Sequence, residues 1–452
     1  MSNHQKVVAA HDWSSYQKLS LKFFTLFFGL LTIPLDYKFY AYLFSGDWLD
    51  FNITDLVKIV SYLPGFFNEV DDENYLGFNG FYSWGLALFL AVIGIFVWNN
   101  LEKKGYRSIS GYDHIYYWLR VILRYKLAFI LIAYGAIKAF PLQFPFPSLS
   151  NLHTNYGDFL PWKIWNHTIG ITPNYAAFLG GVEILSGILL LSRPTVTFGA
   201  GLILGVLINV VFSSFAYELG NQVLATYVLV VALFLFAHDI PRLYSLLYKE
   251  QFTIAESFVP SLSERARLVA KALSVVFGLV IFLSALFNYK DDPYLIPKQE
   301  GLKNAYGFYN VKDFIINKDT IPYSRTDTNR WQNVVFEKWA TISIKTAKSI
   351  KVDPTLYLTK ELTDIDRVYE SAGVGDRRYF RYTIDSVSNQ LYLKNKNANH
   401  ASESFRLTIS RPDDKTIILK GINENKDSIK TVLERVDRKY MLIEGRRHPI
   451  QL

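Results

Sequence analysis

Residues 174–192 read Asn174-Tyr-Ala-Ala-Phe-Leu-Gly-Gly-Val-Glu183-Ile-Leu-Ser-Gly187-Ile-Leu-Leu-Leu-Ser192, an apolar run with one ionisable side chain at its centre. As a helix rising ~1.5 Å per residue the run matches the ~30 Å hydrocarbon core of a bilayer, and it sets Glu183 ~12 Å from either interface. A carboxyl group at that depth needs a proton, a cation or a hydrogen-bond donor. Six more apolar runs lie at 20–43, 80–98, 117–140, 196–217, 221–238 and 268–288. The first is interrupted by Pro34, Asp36 and Lys38. No small-residue cleavage site follows it, so it reads as a retained span rather than a signal peptide. The expected fold is an α-helical polytopic membrane bundle of about seven spans.

Composition agrees. Of 452 residues, half are apolar and only 19% charged, below the share usual in soluble domains. There is no cysteine, which excludes disulfide frameworks, thiolate metal sites, CxxC redox centres and cysteine nucleophiles. With the N-terminus inside, the short inner segments hold fifteen Lys and Arg against four (Lys38, Lys58, Lys138, Lys163) in the outer ones. An odd number of spans then puts the C-terminal third on the outer face. In a bacterium with two membranes this would be an inner-membrane protein with a cytoplasmic N-terminus and a periplasmic C-terminal domain. An acidic first outer loop, with Asp47, Asp50, Asp55, Glu69, Asp71, Asp72 and Glu73, fits this orientation.

After Phe287 the pattern changes. Residues 288–452 carry 29 Lys and Arg against 22 Asp and Glu, and they alternate in short segments. Strands are predicted at 308–316, 331–344, 378–384, 391–394, 405–409, 416–420, 429–433 and 440–443, separated by turn-rich pieces. This describes an all-β antiparallel domain of about eight strands, a small barrel or a sandwich. The chain divides into N-terminal spans with the acidic loop (1–116), a helical core (117–240), an inner loop with the last span and a linker (241–299), and the β domain (300–452).

Polar residues inside the runs are the candidate site. Glu183, Lys138 and Asn209 are expected to face one bundle interior open to the outside. Arg120, Arg124 and Lys126 are read as snorkelling toward inner phosphates. The loop Pro141-Leu-Gln-Phe-Pro-Phe-Pro147, Tyr156-Gly-Asp158 and Pro161-Trp-Lys-Ile-Trp165 is dense in aromatics and prolines. It reads as an outer lid with Trp162, Trp165, His153, His167 and Glu218. Two histidines fourteen residues apart make no metal site. No phosphate loop, HExxH helix or GxSxG elbow is present.

Arg124, Gly135-Ala-Ile-Lys138, Pro173, Gly180-Gly-Val-Glu-Ile-Leu-Ser-Gly187, Gly205-Val-Leu-Ile-Asn209 and His238-Asp239 together resemble the DoxX family of bacterial membrane proteins over residues 117–240. The flanking spans and β-rich tail are similar to a larger subgroup built on its four-helix core. Where that subgroup places a basic residue after the fifth span, this chain has Gln222. The resemblance implies a quinone or lipid as ligand and a link to membrane redox chemistry, with Glu183, Lys138, Asn209 and Arg124 as ligand or proton site. Two alternatives stand beside it. One is a non-enzymatic scaffold whose β domain binds a partner protein or envelope component, and the other a proton-coupled transporter. Membrane lipid is an expected partner and nucleic acid is not.

Overall fold

The computed structural model describes residues 13–46, 52–67, 77–104, 111–253, 258, 260, 263–354, 363–385 and 387–447. Lys6, Arg107 and most of the acidic loop (Asp47, Asp50, Glu69, Asp71, Asp72, Glu73) lie outside them. The chain forms two compact units, Met1–Phe140 with Ala177–Lys290, and Pro141–Ala176 with Asp291–Leu452.

The first unit is helical: α1 (Ser15–Thr32), α2 (Tyr37–Ser45), α3 (Ile53–Ser61), α4 (Phe81–Lys103) and α5 (Tyr112–Ala139). The short α6 (Leu149–Leu152) and α7 (Pro161–Gly170) belong to the second unit. The helical unit resumes with α8 (Pro173–Leu191), α9 (Val196–Ala216), α10 (Gln222–Ala237), α11 (Ile240–Leu247) and α12 (Glu264–Asp291). Among the described residues four helical stretches are long and apolar enough to cross a membrane: Phe78–Lys103, Pro173–Leu191, Arg193–Ala216 and Glu264–Asp291. The pair α10 and α11, bent by 56°, makes a fifth if taken as one span. The other two of the seven runs depart for identifiable reasons. The first breaks between α1 and α2 around Pro34, which cannot continue a helix. The third, α5, is 28 residues long but carries Arg120, Arg124, Lys126 and Lys138.

Polar clamps tie this unit together. Lys22 of α1 donates to Glu102 (2.6 Å) and Asn99 (2.7 Å) of α4, and Trp98 and Tyr112 donate to the same Glu102 carboxylate. The short α3 is capped by an Asn52–Asp55 capping box, and its first amide donates to Asn288 Oδ1 at 2.7 Å. At its other end the Tyr62 carbonyl accepts from Lys126 Nζ at 2.7 Å. Lys126 is therefore not a snorkelling residue. Its ammonium is held at the middle of α5 by a helix C-terminus, where the backbone dipole favours a cation.

In the second unit, β1 (Gly307–Ile316), β2 (Asp319–Thr320), β3 (Asn333–Phe336), β4 (Thr341–Lys345), β5 (Arg377–Asp385), β6 (Gln390–Asn395), β7 (Ser404–Ser410), β8 (Thr416–Asn423) and β9 (Ser428–Arg435) run antiparallel. β9 pairs back onto β1, closing an eight-strand barrel with β2 as an outrigger on β1. Two strand predictions need correcting. The single strand expected at 331–344 is a hairpin, β3 and β4, which turns at Lys338 and Trp339. The strand expected at 440–443 is one helical turn, α13 (Met441–Glu444). The barrel is filled by Tyr309, Phe314, Trp331, Phe336, Phe380, Tyr382 and Phe405 with aliphatic neighbours.

β4 is buried on both faces, which a free barrel wall would not be. Residues 141–176 lie on it. Ser150 Oγ meets Ser343 Oγ at 2.8 Å, Asn151 donates to the Glu370 carbonyl, and Phe159 bridges Val374. Gly373 holds φ +72°, a backbone state suited to glycine, and a Cβ there would collide with the Trp162 ring. The aromatic loop read as a lid is thus a structural layer of the β unit.

Candidate functional site

Three glycines decide where α5 and α8 meet. A Cβ on Gly135 would stand 2.7 Å from the Gly180 carbonyl oxygen, one on Gly180 would collide with Gly135 and Ala139 backbone, and one on Gly187 would stand 2.8 Å from the Ala128 carbonyl. The two helices therefore touch backbone to backbone, as small residues permit in bilayers. Gly181 faces open space and takes no part. This crossing brings Lys138 Nζ to 2.5 Å from Glu183 Oε1, with both side chains largely buried. Glu183 Oε2 and Ser186 Oγ, one turn on, are buried without a hydrogen-bond partner among the described residues.

The other sequence candidates do not join this pair. Asn209 is exposed, and its Oδ1 accepts from Ser213 Oγ of its own helix at 3.4 Å. Arg124 sits fourteen residues before Lys138, its guanidinium 4.9 Å from the Tyr125 ring centre. Glu218 is exposed in a left-handed turn residue between α9 and α10. Gln222, nearby, is buried and donates to the Ser214 carbonyl at 3.0 Å.

The proposed lid residues fall in the second unit, among a buried polar cluster that the sequence reading missed. Trp162 is buried and Trp165 packs with Phe144 and Ile169. His153 stacks flat on Phe308, ring centres 3.7 Å apart, with Nε2 2.6 Å from the Tyr440 hydroxyl. Lys163 is fully buried, donates to the Tyr369 carbonyl and lies 4.7 Å from that tyrosine's ring centre. Behind it Glu370, with no exposure, accepts from Lys396 at 2.6 Å, and Lys396 also donates to the Arg367 carbonyl. Glu337 caps α6 through the Ser150 amide (2.7 Å), while buried Arg377 grips Asn333 and Ser343. Among the described residues no three His, Asp or Glu side chains are placed to hold a metal ion.

Burial governs the electrostatics of this cluster. It pushes the Lys163 ammonium down to about 7, against the pull of Glu370, and holds His167 at about 2, aided by Lys163. His153 falls to about 3 through burial, then Arg377 and Arg438. Burial also raises Glu337, partly offset by its bonds to Ser150.

A pH dependence follows from these directions. All three bases are depressed in the folded state, so the unfolded chain binds more protons and stability rises with pH. The histidine contribution is complete above ~6.5, the unperturbed value, and is lost below it. The Lys163 contribution grows from about 7 up to ~10.4. Hydrogen exchange of the full chain should therefore show β3–β5 amides gaining protection between pH 7 and 10, and Lys163→Met should flatten that gain. An unchanged profile in the variant would show that Lys163 is charged in the fold.

The chain matches no protein-family model, no curated protein and no solved structure.

Proposed function

We propose that this chain is a DoxX-like protein of a bacterial inner membrane whose helical core binds an apolar ligand of the quinone or lipid class, with Lys138 and Glu183 handling the charge that accompanies it. The observation that carries the reading is the buried Lys138–Glu183 pair, held by glycine-only backbone contacts. Beside it one carboxylate oxygen and the Ser186 hydroxyl have no partner among the described residues. Buried orphan polar atoms are uncommon and call for an explanation such as a ligand. A hydroxyl such as that of Ser186 can donate to a carbonyl-bearing ligand. In this reading the seven runs all cross or enter the bilayer, the N-terminus is cytoplasmic and the β unit is periplasmic.

The test is extraction and assay. Protein purified in mild detergent should carry a stoichiometric quinone or apolar lipid, and Glu183→Gln should abolish any quinone-linked turnover while leaving the fold intact. Protein free of such a ligand, with turnover indifferent to Glu183→Gln, would remove the reading.

A scaffold role is favoured by a different observation. The outward positions of β6–β9 include Lys394, Arg406, Lys420 and Lys430, all exposed and in no ion pair among the described residues, with Lys420 directly opposite Lys430. Like charges across strands destabilise a sheet, and an acidic partner would relieve them.

A further inference from the structure

Toward the N-terminal end of α5 the helical unit gathers cations that find no counter-ion. Arg120 and Arg124 stand one turn apart on that helix. The Nε of each is buried without a partner, and neither guanidinium makes a hydrogen bond or ion pair among the described residues. Their contacts are aromatic instead: Arg120 lies 5.7 Å from the Tyr116 ring centre and Arg124 4.9 Å from that of Tyr125. Only Nε is sealed off, and both residues are half-buried, so the Nη ends of the two forks remain open. A third guanidinium comes from the turn between α8 and α9. Arg193 is exposed and donates to the Phe258 carbonyl at 3.5 Å, while the Phe258 ring stands edge-on to His114 of α5, ring centres 4.5 Å apart. The end of α10 completes the group. Tyr116 Oη and His238 Nδ1 are 2.9 Å apart, and the Asp239 carboxylate accepts from Thr197 of α9. Arg124, Arg193, Tyr116 and Asp239 all act electrostatically on Arg120, and Arg193 acts on His238 as well.

We propose that Arg120, Arg124 and Arg193 form a binding site for a phosphate group, carried by a lipid headgroup or by a soluble phosphate. The argument is one of charge and shape. Asp239 is the one carboxylate in this set and already accepts from Thr197, so three guanidinium charges face a single negative one. Like charges brought together in half-buried surroundings cost free energy, and an anion held between them offsets that cost. The arginine fork matches the spacing of phosphate oxygens and pairs with them two bonds at a time. A carboxylate would engage one fork and leave the excess charge, whereas a phosphate offers oxygens to more than one fork at once. Arg120 precedes Lys138 by eighteen residues of α5, ~27 Å at ~1.5 Å per residue. The site is therefore separate from the Lys138–Glu183 pair and does not depend on the reading given to that pair.

The test uses the full chain in dodecyl maltoside, melted at an ionic strength held constant with sodium chloride and followed by tryptophan fluorescence. The melting temperature should rise and saturate with added inorganic phosphate or with dioctanoyl phosphatidic acid, as a ligand of the folded state requires. Arg120→Gln and Arg193→Gln should each weaken the apparent affinity about tenfold or more, the worth of one charge-assisted hydrogen bond. Lys249→Gln removes an exposed cation outside the cluster and should leave the affinity unchanged. Because Arg193 is exposed, its variant reports on binding even where Arg120→Gln disturbs the fold. A rise with the lipid alone, lost in the arginine variants, places a lipid headgroup at the site; a rise with inorganic phosphate, lost in the same way, places a soluble phosphate there. No rise with either probe, or a rise that Arg120→Gln and Arg193→Gln both retain in full, would overturn the proposal.

Discussion

Replacing Lys138 by methionine should destabilise the helical unit by about 3–5 kcal/mol, the usual result of removing one partner of a buried pair and stranding the other charge. Glu183 has no second donor among the described residues, and the close backbone approach at Gly135 and Gly180 leaves no gap at the crossing for water. The double variant Lys138→Met with Glu183→Gln should recover most of the loss, because the ion to be stabilised is gone. Thermal unfolding of the full chain in detergent, followed by near-ultraviolet dichroism, measures both. A single variant as stable as the parent would mean that Glu183 is protonated and the pair carries no charge.

An effect of similar size is expected in the β unit. Lys396→Met leaves the Glu370 carboxylate, fully buried, without its ammonium, and a loss of about 3–5 kcal/mol should follow. Lys163 already feels the Glu370 charge, so its proton should be held more tightly. The pH-dependent gain in protection of β3–β5 should shift to higher pH. Adding Glu370→Gln should restore both stability and the original pH range. Recovery of stability without the shift would show that Glu370 and Lys163 do not interact.

Much of this was legible in the chain. Apolar runs of near-membrane length mark most of the long helices, because a span must be apolar along its whole length and the signal does not depend on a partner. The barrel strands were legible for a related reason: alternation at 379–384 and 405–409 follows from one face being buried. The signature around Gly135, Lys138, Gly180 and Glu183 turned out to have a physical content, since the glycines set the helix spacing that the ion pair needs. What escaped were features made by contacts distant in sequence. Nothing near Lys126 announces that the Tyr62 carbonyl will receive it. Strand β4 hid the layer on its outer face, because Ser343 looks like a solvent position until Ser150 covers it. Asn209 misled in the opposite sense: a polar residue within an apolar run is not obliged to face inward, and this one is exposed, with Ser213 of its own helix donating to it.

The layering of residues 141–176 onto strands that come much later imposes an order on biogenesis. Some 200 residues separate the segment from the end of β5, which at ribosomal rates of ~5–20 residues per second is a delay of ~10–40 s. Throughout it Ser150, Asn151 and Lys163 exist without Ser343, Glu337, Glu370 or Tyr369, so the segment must wait hydrated or chaperoned while α8–α12 are made. A nascent chain stopped before Asp385 therefore presents quality control with an orphaned aromatic strip, where an uninterrupted one presents a finished barrel wall.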